Sequence, residues 1–573
     1  MPLSAAQQAV WLAAALVPGA LAFNLPPSPT LFNQIAAVGC FGVVLALSAQ
    51  APAGGLRLAL HRSAALQAAM ALAGIAVLAS WIGGALPASL ALPSVGLLAA
   101  VMMLAATGSA LPAASAVPVA FFAAWLVAGG FSAFVAVVQV FAPGLPDGDW
   151  IARSSAPGRA VGNMRQPNHL ATLLLWSAAA VVPLAEMGAL GRTRVRRAVA
   201  LGSMALITLA IALSGSRTGL VGIGVLALWG LVDRRLSPAS RGLLLATPLM
   251  YAMSWALTSL WASQQGGPAI GVAARIGQSD LSSYRFAIWR DTIELIRAQP
   301  WLGVGFGEFN FAWTLTPLPN RPVEFFDHTH NLPLQLAVEL GLPLAALVLG
   351  LLGLALWQAW RRTCAVNGET GAGYRAAFVM VLLMALHGQL EYPLWYAHFL
   401  LPTAFMGGLC LGAGAPPGDA HARPARWPVV AGLVMVLAAV VVLIDYRRVV
   451  VIFSPPAHAA PLEERIADGQ KSWFFAHHAD YAAATTAERP GDVLEAFKRA
   501  SHHLLDTRLM IAWATALAQS GDVDRGRYIA ARLREFRNPG ADEFFAPCQG
   551  GAPQPPPFQC EPPQRLYTWR DFR

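Results

Sequence analysis

The chain has 573 residues, a mean hydropathy of +0.52 and only 12% charged side chains. A water-facing domain carries about 25% charged residues, so an ordinary soluble domain is excluded for most of its length. The net charge of +9 comes almost wholly from arginine, with Lys471 and Lys498 the sole lysines. Spread over short loops between apolar runs, it reads as topology-setting charge plus arginine for an anionic lipid substrate, not as a nucleic-acid surface.

A hydrocarbon core of about 30 Å needs roughly 20 apolar residues in a helix. Runs of that kind predict spans near 8–24, 30–50, 63–84, 89–108, 116–142, 169–187, 196–213, 218–233, 241–261, 331–359, 374–391, 394–414 and 427–446. The runs are continuous and do not alternate, which excludes a β-barrel. The expectation is an all-α polytopic membrane protein with about 13 transmembrane helices. The first run starts near Gln8 behind a segment without Lys or Arg, so we expect a retained helix and no signal peptide, despite Ala20-Leu21-Ala22.

Basic loops alternate with the spans. With the N-terminus inside, the inner loops hold Arg57 and Arg62; Arg192, Arg194, Arg196 and Arg197; Arg234, Arg235 and Arg241; Arg361, Arg362 and Arg375; and Arg423 and Arg426. The outer segments are 143–168, 214–217, the long loop 262–330 and the turn near 391. Only 143–168, with Arg153, Arg159 and Arg165, departs from the pattern. This topology divides the chain into a membrane domain, 1–446, and an outer, periplasmic tail, 447–573.

Polar clusters interrupt the apolar pattern at four places, all on the outer side. The first is Gly162-Asn163-Met164-Arg165-Gln166-Pro167-Asn168-His169. Pro167 suits a helix start, and Gln166 and Asn168 can bond sugar hydroxyls or phosphate oxygens, or simply cap the helix. The second, Ser214-Gly215-Ser216-Arg217-Thr218-Gly219, sits between two apolar runs. An arginine there costs a few kcal/mol unless paired. The fork of Arg217 suits a phosphate, and snorkelling to the headgroups is the plainer alternative.

The third cluster is Asp327-His328-Thr329-His330-Asn331-Leu332-Pro333. Pro333 confines the helix start to about 329 or later. His330 is then expected at a helix N-terminus, where the dipole favours a neutral imidazole able to take a proton from a hydroxyl. His328-x-His330 offers two zinc ligands without a third at motif spacing, so we expect no metal. The fourth cluster is His387-Gly388-Gln389-Leu390-Glu391-Tyr392-Pro393-Leu394-Trp395-Tyr396, with His387 and Glu391 expected as neighbours on a helix face; its role looks more structural than catalytic. Before the third cluster, Ser283-Tyr284-Arg285-Phe286-Ala287-Ile288-Trp289-Arg290 has amphipathic spacing suited to the membrane surface. Arg285 and Trp289 share a face and fit a lipid diphosphate and a sugar, respectively.

In the tail, small residues from Ala512 to Ala531 around Gly521-Asp522 resemble one tetratricopeptide unit. Cys548 and Cys560 flank a Pro-rich loop and are compatible with a disulfide or with free thiols. None of the five cysteines has zinc-ligand spacing.

The runs Gln166-Pro167-Asn168-His169-Leu170-Ala171, Ser216-Arg217-Thr218-Gly219, Trp289 to Gly307, His328 to Gly341 and Leu390 to Tyr396 together resemble the bacterial O-antigen ligase / O-oligosaccharyltransferase superfamily. The resemblance is nearest to the PglL-type protein O-oligosaccharyltransferases, which include the pilin glycosylases, and it covers about residues 160–410. It implies a GT-C-like membrane fold and an undecaprenyl-diphosphate-linked oligosaccharide donor. It implies an acceptor protein such as a pilin, no cofactor and no nucleic acid. It places His330 as base or orienting group and Arg217 and Arg285 on the diphosphate. From the residues alone, Arg165, Gln166, Asn168, Trp289, His328, Asn331, Glu391 and Tyr392 are candidate substrate contacts. A lipopolysaccharide ligase and an O-antigen polymerase would use the same donor with another acceptor. A transporter would show midplane charges and two similar halves, and neither is visible here.

Overall fold

In a computed structural model of the chain, the described residues are 3–47, 56–111, 117–264, 269–276, 284–415, 425–549 and 555–573. Ser283, Arg423 and the predicted span ends at 48–50 and 116 lie outside them. Among the described residues the regular elements are all helices, without a strand. Among the described residues nine helices are long and apolar enough to cross a membrane, and Leu31–Leu47, Arg217–Val232 and Ala397–Leu411 are shorter apolar helices. The chain is a polytopic, membrane-embedded helical protein.

Three predicted spans need redrawing. The span at 241–261 is two helices, Pro238–Leu245 and Thr247–Gln264, the first opened by Ser237 as cap with Pro238 behind it. The span at 331–359 runs from Leu332 to Ala365 and breaks at Gly341 (φ 75°), just ahead of Pro343. Proline has no N–H for the helical ladder and its ring crowds the preceding turn. The span at 427–446 continues as one helix to Phe453.

The chain forms two compact units. The first comprises Met1–Ala68, Ala99–Leu281 and Leu351–Val441. Its centre is the helix Pro167–Glu186, buried on all sides from His169 to Leu184, as expected of a helix that is apolar all round. Small residues bring neighbours close: a Cβ on Gly129 would fall 2.0 Å from Ser177 Oγ. Several polar groups in this interior find partners, which offsets their desolvation. Ser177 Oγ donates to the Trp125 carbonyl at 2.6 Å, and Trp176 Nε1 to that of Met380 at 2.9 Å. Arg375, expected as a solvent-facing loop charge, is instead buried and pairs with Asp233 at 2.6 Å.

The second unit comprises Ala69–Leu98, Ser282–Gly350 and Val442–Arg573. Its glycine-rich run 301–307 docks on the break at Gly341. Val304 N donates to Val338 O at 2.8 Å, Gly305 N to Glu339 O at 3.0 Å, and Leu342 N to Pro300 O at 2.7 Å. Gly303 (φ 66°) is required there, because a Cβ would meet Glu339 O at 2.5 Å. The tail residues of this unit form short helices. The hairpin Thr507–Gln519 and Val523–Phe536 turns at Gly521 (φ 91°), with Asp506 and Asp522 capping the two helices.

Within this unit the tail grips the loop that precedes Leu332. Arg321 lies buried against the rings of Trp313 and Phe536, at 5.1 and 4.4 Å, and pairs with Glu535 at 3.2 Å. Burial lowers its pKa to about 10, against the pull of Glu535. Tyr528 Oη donates to Leu315 O at 2.7 Å, Leu505 N to Asn310 Oδ1 at 2.8 Å, and His502 Nδ1 meets Glu308 Oε2 at 2.7 Å. Cys548 and Cys560 are joined in a disulfide.

Candidate active site

Each unit carries one set of the sequence-predicted residues. In the first unit, three of the four polar clusters converge on Asn168. Its Nδ2 donates to Glu391 Oε1 at 2.9 Å, and its Oδ1 accepts from Ser216 Oγ at 2.6 Å. Ser216 is the N-cap of the helix Arg217–Val232, accepting from Gly219 N at 3.0 Å. Gly215 (φ 59°) closes the preceding helix in a left-handed cap. Arg217 therefore stands on the first turn of a helix, where unpaired N–H groups and the dipole favour an anion. Gln166 caps the helix Pro167–Glu186 by accepting from His169 N at 2.7 Å. Arg165 has φ 58° and donates to Ala22 O at 2.5 Å.

The loop behind these residues is clamped by buried amides. Gln139 donates to Ala152 O at 2.6 Å and accepts from Val161 N and Gly162 N at 3.0 and 2.9 Å. Asn163 donates to Ala20 O at 2.6 Å and accepts from Ala152 N at 3.0 Å. His387 and Glu391 do not share a helix face, because the helix ends at His387 and Glu391 follows a turn. His387 Nδ1 lies 2.8 Å from Thr172 Oγ1. Tyr392 caps a short turn and stacks near Tyr396, with centroids 6.0 Å apart. The His169 ring packs on Tyr396 at 4.6 Å and near His398 at 6.1 Å, a buried group in which His398 was not foreseen.

In the second unit, Arg285 opens the helix Arg285–Ala298. Its inner stripe of Ile288, Asp291, Thr292 and Leu295 is buried in protein, so the helix is not wholly a membrane-surface element. Trp289 Nε1 donates to Thr329 O at 2.9 Å. Thr329 is fully buried and doubly held: its N–H donates to Gln335 Oε1 at 2.7 Å and its Oγ1 to Asn331 O at 2.9 Å. The expectation that His330 begins a helix needs correction. Asn331 is the capping residue, its Oδ1 accepting from Leu334 N at 3.0 Å, and the helix starts at Leu332. His330 precedes the cap with φ 54°. A left-handed backbone costs a non-glycine residue about 1–3 kcal/mol and persists where neighbours fix it. Thr329 and Asn331 do so here.

His330 packs edge-on against Phe326, with centroids 5.6 Å apart. His328 pairs with Asp327 at 3.0 Å. Burial works against charge on both, but their mutual attraction outweighs it: Asp327 is lowered to about 2 and His328 is raised above the usual histidine range.

Comparison with known proteins bears on all of these segments. A protein glycosylation ligase family matches residues 160–184, which hold Arg165, Gln166 and Asn168. An O-antigen ligase family matches 202–349, which hold Arg217, Arg285, Trp289, His328, His330 and Asn331. These segments are similar to the O-antigen ligase and protein glycosylation ligase families. A family of virulence-factor membrane-bound polymerases, in its C-terminal part, matches 375–543, a stretch that holds Glu391 and Tyr392 and runs into the tail. The chain is also similar to a general O-oligosaccharyltransferase of Acinetobacter baylyi, with 28% identity over 272 residues. That match spans 46% of this chain and 46% of the relative, about half the length of each.

Proposed function

We propose that the protein is a glycosyltransferase that moves an oligosaccharide from an undecaprenyl-diphosphate carrier to Ser or Thr hydroxyls of a periplasmic or pilin protein. The observation that carries this reading is the convergence of three polar clusters on Asn168, with Arg217 on the first turn of a helix beside them. Such a place suits a diphosphate, and the segments that hold Asn168 and Arg217 are similar to the ligase families.

In the proposed reaction the acceptor oxygen attacks the anomeric carbon as the bond from that carbon to the diphosphate oxygen breaks, in one inverting displacement. Arg217 and Arg285 stabilise the charge growing on the leaving diphosphate, and no metal is needed for this step. His330 orients the acceptor hydroxyl and takes its proton. Arg165, Gln166, Asn168 and Glu391 border the donor, and Trp289, His328, Asn331 and Tyr392 border the glycan and acceptor. Residues 1–446 are the membrane part, GT-C-like with about 13 spans, and 447–573 a tetratricopeptide-like helical part on the periplasmic side of the inner membrane. The disulfide suits that oxidising compartment.

A second reading keeps the donor and changes the acceptor to lipid A-core or another glycan; it is favoured by the O-antigen ligase match over 202–349. The test is an in vitro reaction with lipid-linked glycan and either a pilin or a lipid A-core acceptor, followed by mass spectrometry. A glycan mass on the pilin, lost in Arg217→Ala and largely lost in Arg217→Lys at saturating donor, is the expected result. Full activity of Arg217→Lys would remove the diphosphate role, since lysine snorkels as well as arginine but lacks its planar fork. Transfer only to lipid A-core would establish the second reading instead.

A further inference from the structure

The tail residues contain a cluster of imidazoles that the proposed transfer does not use. His477 and His478 are consecutive near the start of the helix Ala476–Thr486, and His503 lies in the turn after the helix Leu494–Ala500. Ring centroids are 4.3 Å apart for His477–His478, 4.3 Å for His477–His503 and 4.7 Å for His478–His503. One ring nitrogen from each lies within 4.8 Å of the other two. His477 is buried and the other two are half-buried. Ser89 Oγ engages His477 Nδ1 at 3.0 Å, which fixes that ring and leaves Nε2 for a ligand.

Apolar packing alone would favour phenylalanine or leucine here, because each buried imidazole must be stripped of water. Three imidazoles, each with a nitrogen within 4.8 Å of the other two, are a donor set. Burial first, and then the neighbouring imidazoles, keep His477 and His478 well below the usual histidine range, while burial lowers His503 to about 4. Uncharged rings keep the lone pairs that a metal needs.

We propose that His477, His478 and His503 bind one divalent transition-metal ion of the zinc type, with the fourth coordination position open to water. Zinc–nitrogen bonds of about 2.0–2.1 Å place tetrahedral nitrogens about 3.3 Å apart. The nitrogens lie within 4.8 Å of one another, so they would close by up to about 1.5 Å on binding. Imidazole favours zinc and its neighbours in the first transition row, whereas magnesium and calcium favour oxygen. The Asp327 carboxylate is close enough to act on the charge of His503, and it would offset part of the ion's charge. The ion would pin the helix Ala476–Thr486 and the turn at His503 beside the loop that carries His330. It is a fixing point outside the reacting groups.

The test uses the full chain, purified in detergent with a histidine-free tag and stripped by a chelator. Zinc uptake is measured by competition, and cobalt serves as a spectroscopic probe. The expected result is one ion per chain, with visible ligand-field bands for cobalt and a higher melting temperature with zinc. Uptake should vanish in His478→Ala and His503→Gln and persist in His458→Ala, a change at an exposed tail histidine. Ser89→Ala should weaken binding by about 10–100-fold, as loss of an outer-shell partner does, and magnesium should not compete. A wild-type chain that takes up no ion from micromolar zinc would overturn the proposal. So would uptake that survives in both His478→Ala and His503→Gln.

Discussion

Replacing Asn168 by alanine removes the side chain on which Ser216 and Glu391 both depend. The bond to Glu391 joins an amide to a carboxylate in a residue only 6% exposed, and a hydrogen bond to a charged group is worth about 1.5–3 kcal/mol. The bond from Ser216 joins neutral groups and adds about 0.5–1.5 kcal/mol. Asn168→Ala should therefore lower unfolding free energy by about 2–4 kcal/mol. Glu391→Ala should remove the larger share of the same energy. The double variant should fall short of the sum by about 1.5–3 kcal/mol, because the second change finds the bond already gone. The assay is reversible unfolding in mixed detergent and SDS micelles, followed by circular dichroism, on wild type, both single variants and the double. Transfer activity should fall with Asn168→Ala even where the chain stays folded, since Ser216 caps the helix on whose first turn Arg217 stands. Additive losses, within about 0.5 kcal/mol, would refute the claim that Asn168 links these clusters.

The backbone of His330 gives a prediction that separates stability from chemistry. His330→Gly relieves the left-handed strain and should leave thermal stability equal or about 1 kcal/mol higher, while transfer is abolished; retained transfer would remove His330 from the reaction. The Asp327–His328 pair predicts a pH profile whose sign follows from its two shifts. The raised His328 stabilises below its unfolded value of about 6.5, and that contribution is lost as pH rises through its folded pKa; the lowered Asp327 stabilises above about 3.9 and fails as pH falls toward it and below. His328→Gln should therefore flatten the fall in melting temperature that sets in as pH rises above about 6.5, measured across about pH 6–9. Cys548→Ser opens a disulfide whose cysteines are 12 residues apart in sequence, and denaturant unfolding should show a loss of about 3 kcal/mol from loop entropy.

The spans were legible because a helix in hydrocarbon must be apolar for most of its length, and that requirement is local. The polar clusters were legible for the complementary reason: Arg217 and Glu391 are charged residues in short polar breaks between apolar runs. Their partners were not. Asn168 reaches Ser216 across 48 residues and Glu391 across 223, and no spacing in one sequence encodes such a meeting. Arg375 reads as an ordinary loop arginine and Arg321 carries no sequence signal of its own; only the tertiary structure distinguishes them, by the rings around Arg321 and the Asp233 carboxylate against Arg375.

The misplacement of the helix start at His330 shows where local rules compete. Pro333 limits the start to within a turn, but it does not choose among the residues in that turn. Asparagine is a strong N-cap because its side chain can accept from a backbone N–H two or three residues on, and Asn331 does so through Leu334 N. Given that cap, His330 falls outside the helix, and its imidazole is aimed by a left-handed backbone held between Thr329 and Asn331. A helical His330 would gain its orientation from the helix and lose it with fraying. A pre-cap His330 instead depends on the buried Thr329, and through it on Trp289 and Gln335. The same residues that make the histidine strained thus make it fixed, which is the condition the proposed general base must meet to act on a single acceptor oxygen.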